Sequence, residues 1–216
     1  MENKKTTKIA IVISAIFIVG IFISCILLIA RDENAKSGAT IEHYIEKCDF
    51  VAARKQLDKM REHLGEVNSN WFSSDDKKDH YNSKYEEYVV KVSQAQISFL
   101  IGNGDFETAQ DIALEDDNYD YYLDSFLRKL ISLYNKHGVD KVYEGLAQIK
   151  MPNDNYSYNK TVEQLNNAIE GLALVLVDTN KDDAKRLCSM LKPTKDYGDK
   201  KDYKEVEAIK KRIGIK

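Results

Sequence analysis

Proline is almost missing from this chain: there are two among 216 residues, Pro152 and Pro193. With ten glycines besides, the sequence has few breakers, which excludes collagen-like and Pro/Gly-rich low-complexity architectures. Cysteine is scarce too. Cys25, Cys48 and Cys188 are too few for a disulfide framework, and the last two stand 140 positions apart. The four histidines, His43, His63, His80 and His137, are scattered without ligand spacing, so no zinc site is predicted. No Gly-x-Ser-x-Gly, phosphate loop or dinucleotide fingerprint occurs, and no Ser or Cys has a base at a telling spacing. The chain therefore reads as a non-enzyme, with no cofactor expected. Nor is there an excess of positive charge. The formal net charge is −3, and three Lys against Glu2 in residues 1–8 leave −5 on the remainder, which argues against nucleic acid as a partner.

What the chain does have begins with an uncharged run. Ile9 to Ala30 is 22 residues holding nine Ile, two Leu, two Phe and two Val. At the helical rise it reaches roughly 33 Å, enough to cross a bilayer. Its fifteen strongly apolar residues favour insertion by on the order of 5 to 9 kcal/mol. Residues 1–8 then form a short tail, 9–30 a transmembrane signal-anchor helix, and 37–216 a separate domain. Lys4, Lys5 and Lys8 precede the span while Arg31 and Lys36 follow it, a bias that keeps the amino terminus inside. The domain is accordingly expected outside the cytoplasm, on a bacterial inner membrane. A cleaved signal peptide ending near Ser37-Gly38-Ala39 is the alternative, but the apolar run exceeds the usual ~7 to 15 residues. Phe22-Ile23-Ser24-Cys25 resembles a bacterial lipoprotein cleavage box in its small residue before Cys. It departs from that box at Phe22 and in the apolar continuation Ile26-Leu27-Leu28-Ile29, so Cys25 reads as packing within the span.

The remainder is striped at helical period. Tyr81, Tyr85, Tyr88, Val89, Val92, Gln96 and Phe99 recur at steps of three and four, and only Gln96 breaks the chemistry. "GNGD" at 102–105 interrupts, and Phe106, Ala109, Ile112 and Ala113 stripe a short helix. A long helix through Tyr119, Leu123, Phe126, Leu127, Leu130 and Tyr134 stops at His137-Gly138, followed by a short one with Val139, Val142, Leu146 and Ile149. Tyr158, Val162, Leu165, Ile169, Leu172 and Leu176 repeat the long element. Ala184, Leu187, Cys188 and Leu191 repeat the short one. Ile41, Tyr44, Ile45 and Cys48 with Asp49 to Ala53, Leu57, Met60 and Leu64 read as an amino-terminal copy, and Tyr203, Val206, Ile209 and Ile213 as a closing helix. Ala53, Ala109, Val142 and Ala184 fall in register, spaced by 56, 33 and 42 residues. Ala109 is expected in close contact with the preceding helix, and its neighbour Gln110 outside that contact.

The turn "GNGDFETA" and its counterpart "CDFVAA" at 48–53 resemble the turn between the two helices of a tetratricopeptide-like repeat. There a Gly-Asp-Phe/Tyr precedes a small residue, and a proline such as Pro152 or Pro193 often ends the second helix. The resemblance covers residues 37 to 195 and is degenerate, since no copy carries the family's full Trp-Leu-Gly-Tyr pattern. It implies an all-α chain: a transmembrane helix, then a stack of antiparallel helical hairpins forming a tetratricopeptide-like solenoid. A generic helical bundle is the competing architecture.

Asp116, Asn118 and Asp120 alternate as calcium ligands would, but Tyr121 stands where Gly is needed and Leu127 where Glu is. Asn155-Tyr156-Ser157 and Asn159-Lys160-Thr161 have the form of glycosylation sequons. Gly65 to Lys78 reads as a polar loop carrying Trp71-Phe72, and "GLALVLV" at 171–177 as a helix buried on nearly all sides. Helical phase places Glu87, Lys91 and Gln94, then Tyr121, Asp124 and Arg128, then Lys160, Glu163 and Asn167 opposite the apolar stripes of the long helices. In a stack of the implied kind these line one concave face, and Tyr121 is the aromatic among them. The expected function is protein-protein interaction at a membrane surface, as a scaffold or accessory protein. An extracytoplasmic ligand-binding protein, recognising carbohydrate through Trp71 and the many tyrosines, is the alternative.

Overall fold

A computed structural model describes residues 37–69, 74–195 and 201–215. The predicted span 9–30 and the aromatic pair Trp71-Phe72 lie outside the described residues. Among the described residues no helix is long and apolar enough to cross a membrane. They are overwhelmingly helical: α1 over residues 37–46, then α2 (Phe50–Ser69), α3 (Asp75–Asn103), α4 (Phe106–Glu115), α5 (Tyr119–Arg128), α6 (Leu130–Gln148), α7 (Asn155–Leu176), α8 (Lys181–Cys188) and α9 (Lys204–Ile213). The expected loop at 65–78 is thus shorter than the polarity of its residues suggested, since α2 runs to Ser69 and α3 starts at Asp75 with two acidic residues in its first turn. One element was not anticipated. β1 (Thr194–Lys195) pairs antiparallel with β2 (Lys201–Asp202), a ribbon too short to register as a strand pattern.

The chain divides into two compact units, one ending at Val92 and one starting at Ser93. In the first, Ile41, Ala53, Leu57, Met60 and Val92 form the core, edged by Tyr44, Ile45, Tyr85, Tyr88 and Val89. Gly38 lets α1 meet the α3 tyrosine closely, because a Cβ there would collide with the Tyr88 hydroxyl and stand 2.7 Å from its Cζ.

In the second unit the core is aliphatic around one aromatic cluster. Phe106 of α4 and Phe126 of α5 meet edge to face at 5.0 Å, and Tyr122 stacks on Phe126 at 6.1 Å. Gly145 of α6 lies under both phenylalanines, with only 2.7 Å between its would-be Cβ and either ring. The predicted short helices sit where the stripes put them: Ala109, Val142 and Ala184 are all fully buried, as is Ala53 in the first unit. The long helix expected from Tyr119 to Tyr134 is broken at Lys129, which closes α5 and opens α6. Neither glycine nor proline marks that break. The predicted stop at His137-Gly138 survives as a kink inside α6, with Gly138 at φ 80° and ψ 175°.

Two further expectations change. Residues 171–176 are helical as read, but Leu174 and Val175 are about half exposed, at 46% and 54%, so only Leu172, Ala173 and Leu176 of that run face the core. Gln110 is buried rather than peripheral. Its Oε1 accepts from the Lys150 backbone at 3.2 Å, and the Tyr119 hydroxyl lies at 3.4 Å while donating to the Lys150 carbonyl at 2.8 Å. A buried amide with such partners closes the chain end of α6 onto α4.

Candidate functional site

The nine residues proposed for a binding face are distributed unevenly in chemistry. Glu87 is exposed and accepts from Lys84 at 2.6 Å, a bond that holds its carboxyl below the usual carboxylate range and raises the lysine. Lys91 donates to Glu42 of α1 and lies 5.8 Å from the Tyr88 ring; the Glu42 bond raises its pKa. These two belong to the first unit, whereas Gln94, half-buried, falls in the second.

On α5, Tyr121 does not stand on an open polar face. Its ring is half-buried against the core and its hydroxyl shares a 2.8 Å hydrogen bond with Ser98 of α3, which accounts for an aromatic there without a ligand. Asp124 accepts from Arg128 Nε at 2.7 Å in an exposed i,i+4 pair, of the kind worth a few tenths of a kcal/mol, roughly 0.3 to 0.5. Lys160, Glu163 and Asn167 of α7 are all exposed and share one strip at steps of three and four. That strip is the most open of the three.

The adjoining face of α7 carries the most organised polar device of the second unit. Asn166, fully buried, accepts the Lys192 N–H at Oδ1 (2.9 Å) and donates Nδ2 to the Lys192 carbonyl (2.8 Å). Seven residues earlier, Asn159 does the same to Lys195, at 2.7 Å and 2.8 Å. The Tyr158 hydroxyl reaches the Pro193 carbonyl at 3.4 Å, and the Lys195 ammonium lies 4.3 Å over the Tyr158 ring. The sequence signals this pair only by two asparagines at i and i+7 inside a helix, a residue type that otherwise favours helix ends. It also explains the second sequon. Asn159 is committed to the backbone and Thr161 is buried.

Side chains also tie the helices of the second unit to one another. Lys136 Nζ and His137 Nε2 both meet the Gly102 carbonyl, at 2.6 Å and 3.1 Å, and Lys129 Nζ reaches the Ser98 carbonyl at 3.4 Å. Gly102 is one of the end carbonyls of α3, where cations and donors satisfy orphan acceptors. Tyr134 donates to Asp183 at 2.7 Å, beside the Asn180 cap of α8, and Arg186 pairs with Asp140.

Burial pushes the Tyr119 hydroxyl up to about 12 and raises Tyr122 further still. Burial also raises the Cys188 thiol, while Cys48 is exposed. Among the described residues no group of three or more His, Cys, Asp or Glu is placed to hold a metal. In the would-be calcium loop the Asn118 amide is turned to the Asp116 carbonyl (3.0 Å) and Ser93 Oγ (3.2 Å), serving the turn between α4 and α5. Comparison with protein-family models, with curated proteins and with solved structures returns no match.

Proposed function

We propose that this chain is a single-pass membrane protein whose 37–216 domain is a tetratricopeptide-like scaffold, binding another protein at the membrane surface outside the cytoplasm. The observation that supports it is a recurring break: a capped or glycine-marked interruption followed, four positions on, by a fully buried small or β-branched residue, Ala53, Ala109, Val142 and Ala184. Stacked hairpins of this kind present extended faces and need no catalytic centre. The membrane address comes from residues 9–30 and the flanking lysines.

Of the three strips, Lys160, Glu163 and Asn167 are the place to test, since all three are exposed on one helix. The full chain carrying Lys160→Ala, Glu163→Ala and Asn167→Ala, crosslinked in its native membrane, should lose a partner that the unaltered chain retains, with melting unchanged. Recovery of every crosslinked protein at the unaltered yield would sink this strip as the binding face. A cysteine at Ser74, with the native thiols replaced, should react with an impermeant maleimide from outside the inner membrane. Labelling only after that membrane is broken would put the domain in the cytoplasm.

A further inference from the structure

The two asparagines of α7 treat residues 192–195 as a neighbouring strand would. Seven residues of helix advance about 10.5 Å and three residues of extended chain about 10 Å, so amides at i and i+7 match backbone groups at j and j+3. Each amide closes a two-bond ring with one residue, Asn166 with Lys192 and Asn159 with Lys195. All four bonds go to main chain, and they would be the same for any non-proline residue at those two positions. Within residues 192–195 a side chain also takes part, the Lys195 ammonium over the Tyr158 ring, and the preceding Leu191 is buried in the core. The residues so held are themselves half-buried, and on their far side the pairing extends over two residues of β2.

We propose that this face of α7 is a binding site for an extended polypeptide segment of a partner, carrying a Lys or Arg to lie over Tyr158, and that residues 192–195 occupy it in cis as an internal competitor. The proposal deepens the scaffold reading and rests on it for the class of partner. Geometry supplies the specificity: an extended backbone, a cation three residues after the first anchored position, and no proline at either anchored position. The cis segment is tethered between α8 and β2, which presents it at an effective concentration on the order of mM. A free segment of equal affinity therefore binds weakly until the strap is loosened, since apparent affinity scales with the fraction of open sites.

Lys192→Pro with Lys195→Pro removes the two N–H groups that the asparagines accept while leaving the α7 face intact. A labelled peptide, Leu-Lys-Pro-Thr-Lys, titrated into the full-length double variant should bind saturably and at least about 10-fold tighter than to the unaltered chain. Adding Asn159→Ala should abolish the gain, and a peptide ending in Glu should bind more weakly than one ending in Lys. Equal peptide affinity in the double variant and the unaltered chain, or binding that survives Asn159→Ala, would overturn the proposal. If the double variant does not fold, Pro193→Gly loosens the strap with every backbone donor kept, and an unchanged peptide affinity there overturns it equally. A chain that binds the peptide but captures no protein in the membrane leaves this site standing and removes the scaffold reading; capture that is unaffected by Asn159→Ala does the reverse.

Discussion

The turn after α1 and the turn after α3 are the same structure built from different residues. In one, the Cys48 N–H meets the Ile45 carbonyl at 2.9 Å, the Asp49 N–H meets Tyr44 at 2.9 Å, and Asp49 Oδ1 accepts from Ala52. In the other, Gly104 meets Ile101 and Asp105 meets Leu100, both at 3.0 Å, and Asp105 Oδ1 accepts from Thr108. A phenylalanine follows each Asp, and a fully buried alanine stands four positions after it. The pivot residue has positive φ in both, 56° at Cys48 and 79° at Gly104. What differs is how far each site is committed. Phe106, 1% exposed, sits in the aromatic cluster over Gly145, whereas Phe50 is slightly more exposed, at 8%. A turn motif is thus retained by its hydrogen bonds and its buried alanine, while the aromatic after the cap contributes according to what it meets.

Replacing the buried alanines should break both turns most severely. Ala109→Arg and Ala53→Arg each force a long charged side chain into a fully buried contact, at a cost of about 3 kcal/mol or more. Denaturant melts of the full chain would measure it; a loss under 1 kcal/mol at either site would show that its helix does not approach closely. Gln110→Arg belongs with these disruptive changes, because it strands the Lys150 N–H that the amide accepts.

The aromatics should separate the two turns. Phe106→Ala empties a site against Phe126 and should cost about 3 to 5 kcal/mol. Phe50→Ala should cost less, because that ring is the more exposed of the two. Equal losses would mean that the turn itself, and not its packing, sets the value of the aromatic.

Much of this was readable beforehand, for physical reasons that can be named. Asp or Asn before an apolar stripe favours a helix cap and glycine between stripes favours a pivot, so the turns at 104 and 180, the kink at 138 and the register of Ala53, Ala109, Val142 and Ala184 followed from local chemistry. What periodicity does not carry is partnership between distant polar groups. Gln110 looks like a surface residue until Lys150 and Tyr119 are beside it, and Asn159 and Asn166 look like weak helix formers until residues 192 and 195 meet them. The break at Lys129 has no breaker in the sequence. The run 171–177 is apolar enough to read as buried all round, yet Leu174 and Val175 face outward. At the candidate binding face, the strip on α7 is open as phase alone suggested, while Tyr121 has its partner in Ser98.

Removing the caps should have a moderate and equal effect. Asp49→Ala and Asp105→Ala each delete one acceptor for a first-turn N–H, worth about 1 kcal/mol. Hydrogen exchange at Ala52 and Thr108 would register the change locally. Faster exchange at one site only would show that the two caps are not equivalent.

The smallest change should be at the pivot, and there the two turns should respond with opposite sign. A residue with a Cβ held in the left-handed region costs roughly 1 to 2 kcal/mol, a penalty that Cys48 bears and Gly104 escapes. Cys48→Gly removes that strain but adds unfolded-state freedom worth about 0.4 to 1 kcal/mol, so the net is a stabilisation of a few tenths to about 1 kcal/mol. Gly104→Ala runs the cycle the other way. Its new Cβ would meet the His137 ring at no less than 3.5 Å, an ordinary contact, so strain alone decides and the turn should lose a similar amount. Cys48 is exposed and Gly104 buried, but neither change removes a hydrogen bond, since the backbone N–H donors remain. Melting of the two single variants against the unaltered chain reads both signs. A destabilised Cys48→Gly would mean that the thiol side chain contributes a contact that outweighs its backbone strain, and the equivalence of the two turns would then stop at their hydrogen bonds.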